Sequence, residues 1–367
     1  PLPKRRGPSV AAPGAGGLPE PPAPRSGALT ASSTGSHNPG FVAHHAEAPC
    51  VGTGGIAGSP RVDVSICIVT LNCWDVLTDC IESLEGAGPG LSYEVILVDN
   101  ASTDGTPALL RRRFPRVHLL ENEANVGFTR ATNQAIERSG GRYILWLNPD
   151  TVLRPGSLRR LVDFLVSRPE AGIVGPKVLN EDGSFQPQCR RGLPTPSASL
   201  FYMLGLHRVW PKNQRFGAYL LSHLPVDRET QVAAVSGCCL MARREVWQEI
   251  GRLDEDIFGF GEDVEWCVRA GKAGWEVWYQ PESVIVHLKG RGGVHSRPFH
   301  KAWGLHQAMW VFYRKHLKRG YPWPVTFLIW MGVATSLVVS SLAIPLRRLL
   351  ALGRQAHRAQ TSERGRR

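Results

Sequence analysis

The chain has 367 residues, 43% of them apolar, enough for one large catalytic domain or two small ones. Its net charge of +12 is uneven: from Arg314 to the end, eleven Lys or Arg face the single acid Glu363, and the apolar run beside them favours anionic headgroups over nucleic acid as the partner. The eight cysteines (Cys50, Cys67, Cys73, Cys80, Cys189, Cys238, Cys239 and Cys267) form no CxxC pair and no zinc-finger spacing, which excludes that class of site and points to free thiols in a reduced, cytosolic compartment.

Residues 1 to about 60 are rich in Pro, Gly, Ala and Ser. They hold too few large apolar side chains to offset about 1 to 2 kcal/mol of backbone entropy per residue, so a disordered tail over 1–61 is expected, with Lys4, Arg5 and Arg6 solvated. No secretory signal stands at the start, and a chain opening on Pro1 leaves its true N-terminus open.

Order begins near Val62. The β-branched run Val64 to Thr70 reads as a buried strand, and a helix follows with Asp75 as N-cap and an apolar stripe of Val76, Leu77, Cys80, Ile81 and Leu84. The glycines of GAGPG (Gly86 to Gly90) precede a strand rather than opening a helix after one, which rejects a dinucleotide fingerprint. Tyr93 to Val98 is the next strand and ends in the polar corner DNASTDG. A helix over Pro107 to Phe114, a strand over Val117 to Leu120, a helix over Gly127 to Ser139 and a strand over Tyr143 to Leu147 complete four alternations. Such alternation implies an α/β domain with a mainly parallel sheet and helices on both faces.

The strand YILWL stops on Asn148, Pro149 and Asp150, a carboxylate at a strand's carboxyl end, where open α/β sheets bind ligands. Asp150 reads either as a turn cap or as a metal ligand facing a diphosphate. Beyond it come a helix over Pro155 to Ser167, a strand over Ala171 to Leu179, a turn at Asp182-Gly183, and an aperiodic segment, 187–231, assigned to acceptor recognition. Val232 to Ala242 reads as one strand. Helices near Glu245 to Ile250 and Glu262 to Ala273, and a strand over Ser283 to His287, close the domain.

The stretch Val325 to Leu346 is uncharged and, as a helix of 22 residues, would span about 33 Å against a hydrocarbon core of about 30 Å. A membrane-embedded segment is expected; a buried core or oligomer helix is the alternative. Basic flanks on both sides give no clear orientation, and Pro322, Pro324 and Pro345 would suit a kinked segment lying in one leaflet.

Asp99, Asp150, the pair Glu262-Asp263 and His287 each have an ordinary structural explanation as turn, helix-start or core residues. Together, in this order, they carry a resemblance. VSICIVTLN, VILVDNASTDGT, ENEANVGFTRATNQA, YILWLNPD, VSGCCLMARREVWQEIGRLDE, FGFGEDVEWCVRAGKAGW and VIVHLKG, over residues 62 to 290, resemble the family 2 glycosyltransferases, inverting enzymes of GT-A fold, and within them the rhamnosyltransferase-like group.

The resemblance implies that Thr70, Asn72 and Asp99 surround the base and ribose of a nucleotide sugar, with Asn125, Gly127 and Asn133 beside them. It implies Mg²⁺ or Mn²⁺ held by Asp150 and His287, with Asn148 standing where the usual first Asp would be. Asp263 would be the general base on the acceptor hydroxyl and Glu262 its neighbour. A sugar nucleotidyltransferase would instead need a Gly- and Arg-rich loop where LNCWDV stands, and a degenerate scaffold would not need these acids. Gly237 is expected to let backbone approach the substrate, and Cys238 and Cys239 to pack, with no base beside either thiol.

The expected organisation is a tail over 1–61, a GT-A domain over 62–300 (nucleotide half about 62–150, acceptor half about 151–300) and a membrane-associating region over 301–367. The expected activity is transfer of a hexose, by resemblance rhamnose from dTDP-rhamnose, to a lipid-linked or polysaccharide acceptor at the cytoplasmic face of the cell membrane. Oligomeric state is left open.

Overall fold

The computed structural model describes residues 62–257, 259–290 and 298–364. The expected tail, with Lys4, Arg5, Arg6 and Cys50, and Phe258 of the FGFGED stretch lie outside the described residues.

The first half alternates as expected: β1 (Val64–Thr70), α1 (Trp74–Ala87), β2 (Tyr93–Asp99), α2 (Thr106–Arg113), β3 (His118–Glu121), α3 (Phe128–Arg138) and β4 (Tyr143–Leu147). The period of two in β1 decides its neighbours. Val64, Ile66 and Ile68 pack with Leu77, Cys80 and Leu84 of α1, while Cys67 and Val69 pack with Ala131, Ala135 and Ile136 of α3 on the other face. Fully burying each such aliphatic chain stabilises the fold by about 1.5 to 3 kcal/mol. Helix α1 starts two residues earlier than expected. Cys73 holds the N-cap position and Asp75 lies in the first turn, where a carboxylate is favoured by the helix dipole.

The chain continues through β5 (Thr151–Leu153), α4 (Ser157–Ser167), β6 (Ala171–Leu179), β7 (Arg190–Arg191), α5 (Pro196–Met203), α6 (Leu206–Val209), β8 (Thr230–Gln231), β9 (Ala234–Val235), β10 (Cys239–Arg243), α7 (Arg244–Ile250), α8 (Glu262–Lys272), β11 (Glu276–His287), α9 (Pro298–Phe312) and α10 (Trp323–Arg364). The main sheet runs β3-β2-β1-β4-β10-β6-β11-β5, with β8 on β11. Its first four strands are parallel, β10 is antiparallel to both neighbours, β11 is parallel to β6 and β5 is antiparallel to β11, so the sheet is mixed. From β1 the chain steps out to β2 and β3, then returns to β4 on the other side of β1. That reversal opens a crevice at the carboxyl ends of β1 and β4, where Thr70 and Asn148 stand.

Three elements differ from expectation for physical reasons. The run Val232 to Ala242 is broken into β9 and β10, because at Ser236-Gly237-Cys238 the Gly237 N–H turns to the Asp263 carboxylate at 2.8 Å instead of joining a ladder. Strand β11 begins at Glu276, seven residues before the expected start; Pro281 interrupts its donor pattern, and the register shifts between Gln280 and Val284. Segment 187–231 is not all loop, since Thr195 caps α5 by accepting from the Ala198 N–H at 3.2 Å.

The region after residue 300 is joined to the domain. Phe312 is part of the core cluster that holds Val264 and Trp266, and Leu317 packs against it. Lys315 reaches Asp254 and Asp256 at 2.7 and 2.6 Å, and His316 meets Glu265 at 3.0 Å. Helix α10 runs unbroken through Pro345. Within it Trp323–Pro345, of mean hydropathy 2.0, is long and apolar enough to cross a membrane, and none of its most apolar window is buried, which removes the core-helix alternative.

Candidate functional site

One cavity of about 1160 Å³ lies over the crevice between β1 and β4. Of the expected site residues, Thr70, Asn125, Gly127, Asn148, Asp150, Glu262, Asp263 and His287 line it. Asn72, Asp99 and Asn133 do not. Asn72, at φ 49°, accepts the Thr103 N–H at 2.7 Å and so ties the end of β1 to the corner after β2. The Asn133 amide is occupied by the 253–255 loop, donating to Leu253 O at 3.1 Å and Glu255 Oε1 at 3.0 Å and accepting the Leu253 N–H at 3.0 Å. Asp99 is buried; its Oδ2 accepts the Ser102 N–H at 2.8 Å, and its Oδ1 has no hydrogen-bond partner among the described residues.

Asn100, unmarked in the sequence, is the hinge of the nucleotide-side wall. Its Nδ2 donates to Asn125 Oδ1 at 2.9 Å, and its Oδ1 accepts the Val126 N–H at 3.1 Å. Asn125 Oδ1 also accepts the Gly127 N–H at 2.9 Å, and Gly127 holds φ 91°, a region closed to most side chains. An asparagine ladder thus fixes the loop before α3.

At the end of β4 the Asp150 carboxylate meets His287, whose Nε2 stands 3.2 Å from Oδ1. The pairing β5-β11 makes this contact, since Thr151 sits opposite His287 in register. Gln186 orients the ring from behind: its Oε1 lies 3.2 Å from Nδ1, and its Nε2 donates to the His287 carbonyl at 3.1 Å. Burial opposes charge on the imidazole, but Cys238 and Asp150 outweigh it and hold the proton up to about 10. Asn148 Oδ1 is buried with no hydrogen-bond partner among the described residues, an oxygen waiting for a donor or cation. One carboxylate and one amide oxygen suit a hard divalent cation that takes its remaining ligands from water and phosphate, and the His287 imidazole can join them once the cation displaces its proton. Among the described residues no group of three His, Cys, Asp or Glu could hold an ion alone.

The acid pair of the same cavity stands at the start of α8, after Gly261 at φ 108°. Asp263 is tightly held. Arg191 of β7 pairs with its Oδ2, Gly237 N–H donates to the same oxygen at 2.8 Å, and Val264 N–H donates to Oδ1 at 2.7 Å. Gly237 is required here for approach to Asp263 rather than to substrate: a Cβ would meet the Trp146 ring at 2.9 Å and the Asp263 Cβ at 3.2 Å. Burial lowers the proton affinity of the Arg191 guanidinium, and the facing Asp263 more than reverses this. Burial, and then the neighbouring Asp263 charge, push Glu262 well above the usual carboxylate range; its Oε2 has no hydrogen-bond partner among the described residues.

Adjacent strand residues point to opposite faces, so Arg190 turns away from Arg191 and donates to Leu224 O and Pro225 O, both at 2.7 Å. Gln186, Arg190 and Arg191 escaped the sequence reading; two successive arginines in a segment with scattered Pro, Tyr and Trp were the available signal. The seven described cysteines are buried and none forms a disulfide, as expected of packing thiols, but Cys238, expected to have no base beside it, meets the His287 imidazole. Burial pushes the thiols of Cys189 and Cys267 up to about 12.

Comparison with known proteins agrees with this architecture. An N-acetylglucosaminyl-diphospho-decaprenol L-rhamnosyltransferase of Mycobacterium tuberculosis is 34% identical over 229 residues, 59% of this chain and 73% of that protein. A low-salt glycan biosynthesis hexosyltransferase of Haloferax volcanii is 27% identical over 214 residues, 57% of this chain and 61% of that one. A solved mannosyltransferase of Pyrobaculum calidifontis in complex with GDP-Man and Mn²⁺ matches at 18% identity, a TM-score of 0.49 and 81% coverage of each chain. The family model described as glycosyl transferase family 2 matches residues 65–251, which carry β1 to β10. With half the chain under that model and the mixed α/β sheet beneath the cavity, the chain belongs to glycosyl transferase family 2 and is a glycosyltransferase of GT-A fold.

Proposed function

We propose that the protein is a metal-dependent inverting glycosyltransferase that moves a sugar from a nucleoside diphosphate donor, rhamnose from dTDP-rhamnose by similarity to the mycobacterial relative, to a lipid-linked acceptor in cell-surface glycan synthesis at the cytoplasmic face of a membrane. The observation that carries it is that two groups line one cavity, Asp150 with His287 and Asp263 with Arg191. The first suits a cation bound to diphosphate, and the second suits a proton acceptor.

Thr70, Asn100, Asn125 and Gly127 form the donor wall, and the orphaned Asp99 Oδ1 is an acceptor left for the donor's base. Asn148, Asp150 and His287 would hold Mg²⁺ or Mn²⁺, which would neutralise the negative charge that grows on the departing diphosphate. Inversion takes one displacement. The acceptor oxygen attacks the anomeric carbon as the bond to the diphosphate breaks, and the hydroxyl proton passes to Asp263. Arg191, Gly237 and Val264 hold that carboxylate in one orientation, while Glu262, carrying a proton, avoids a second charge beside it.

The test is donor binding to the full chain with Mn²⁺ or chelator, over dTDP-, UDP- and GDP-sugars, beside Asp150→Ala. Metal-dependent binding of one donor that the variant loses supports the reading; equal binding by the variant overturns the metal assignment.

A further inference from the structure

The cavity does not end at the acid pair. It runs on between α5, α9 and the first turns of α10, where Leu200, Met203, Leu305, Met309, Leu328 and Val333 line it. Leu200, Met203, Leu305 and Leu328 are also exposed. Four apolar side chains facing solvent around one cavity are costly in water, which implies an occupant.

Several observations say which. The α10 residues in this wall belong to Trp323–Pro345, the segment apolar and long enough to cross a membrane, and Phe327, Trp330 and Met331 of the same turns are exposed. The groove is therefore shared between the segment apolar and long enough to cross a membrane and Asp263. Polar contacts tie its walls together: His306 Nε2 of α9 lies 2.9 Å from Ser336 Oγ of α10, and Oη of Tyr313, just after α9, lies 2.9 Å from Thr326 Oγ1. A molecule filling such a path has a hydrocarbon tail in the bilayer and a polar, hydroxyl-bearing head at the base.

We infer that this groove holds the first isoprene units of a polyprenyl diphosphate-linked acceptor and guides its sugar from the bilayer to Asp263. The inference rests on the lipid-linked acceptor reading above and adds where the lipid lies. Chain recognition by the groove makes the tail part of the substrate, so a head group without its tail binds weakly although its chemistry is intact.

The experiment uses the full chain in vesicles with a decaprenyl diphosphate N-acetylglucosamine whose diphosphate-proximal isoprene carries a photoreactive group. The expected result is crosslinking to peptides containing Leu200, Leu305 or Leu328, reduced about tenfold in Leu200→Glu and Leu305→Glu, where a charge replaces an aliphatic contact to the lipid tail. In parallel, the same variants raise KM for the decaprenyl acceptor while leaving kcat/KM unchanged for a water-soluble butyl diphosphate bearing the same sugar.

Crosslinking elsewhere with transfer intact overturns the groove and leaves the proposed function standing. Groove labelling without transfer to either acceptor supports the groove and overturns the sugar or acceptor chemistry. Equal losses on both acceptors, or release of the variants from vesicles with both KM values unchanged, overturn the groove as an acceptor site, the latter marking it as a bilayer contact only.

Discussion

The two acidic clusters on the cavity are built in opposite ways. Asp150 closes β4 and shares its carboxylate with one imidazole beside an amide oxygen that has no hydrogen-bond partner among the described residues. Asp263 opens α8 with Arg191 and two backbone N–H groups already upon it. The first arrangement keeps one buried oxygen, that of Asn148, without a hydrogen-bond partner among the described residues, which suits a cation that must also hold a substrate. The second spends its capacity on fixing one orientation, as a group that must meet a hydroxyl requires. Open valence and enforced geometry are different needs, met by strand-end residues in one case and by long-range contacts in the other.

The sharpest way to break this contrast is Asp263→Asn, which keeps the shape and removes the proton acceptor. Turnover is expected to fall by about 10² to 10⁴-fold with the donor Kd unchanged. Persistent turnover would move the base elsewhere, with Glu262 and its free Oε2 as the next residue to test.

Arg191→Met asks whether enforced geometry has its own weight. The pair is nearly buried, with side-chain exposures of 12% and 10%, so removing the cation is expected to cost about 3 to 5 kcal/mol of stability and to lower kcat. Arg191→Lys should recover part of both in denaturant titration and single-turnover rates. A Met variant with native stability would mean the ion pair is not formed in solution.

Gly237→Ala tests the same geometry through packing. The added methyl meets Trp146 at 2.9 Å and Asp263 at 3.2 Å, an overpacking cost of about 1 to 3 kcal/mol, with kcat reduced more than donor affinity. A tolerant site would show no change in denaturation midpoint.

The smallest effect belongs to Glu262→Gln. A Glu whose folded-state proton affinity is raised binds more protons folded than unfolded, so native stability declines as pH rises from about 4.5 toward the raised value. The Gln variant has no proton to lose. Its melting temperature relative to the native chain should therefore climb over that window, and parallel profiles would show that Glu262 titrates normally.

Much of this was legible before any coordinates. The run SICIVT has a period of two on both faces and could only be a buried strand, and YILWLNPD ends such a strand on a carboxylate, so β1, β4 and the place of Asp150 followed from side-chain chemistry alone. Local signals succeeded where the contacts were local. They failed at Gly237, where a carboxylate 26 residues away interrupts a strand, and at Pro281, whose missing N–H hid the first half of β11.

The sequence by itself determined the family, the alternation of the first half, the strand-end acids, and a segment apolar and long enough to cross a membrane. The tertiary structure alone decided which polar residues face the cavity. It turned Asn72 and Asn133 into loop ties, brought Arg191 and Gln186 in as supports for Asp263 and His287, and joined the α9–α10 wall to the site. The physical reason is range. A hydrophobic pattern reports the face a residue presents to its own helix or strand, whereas the partner of a buried charge is chosen by desolvation and proximity among segments that meet only when the sheet is complete.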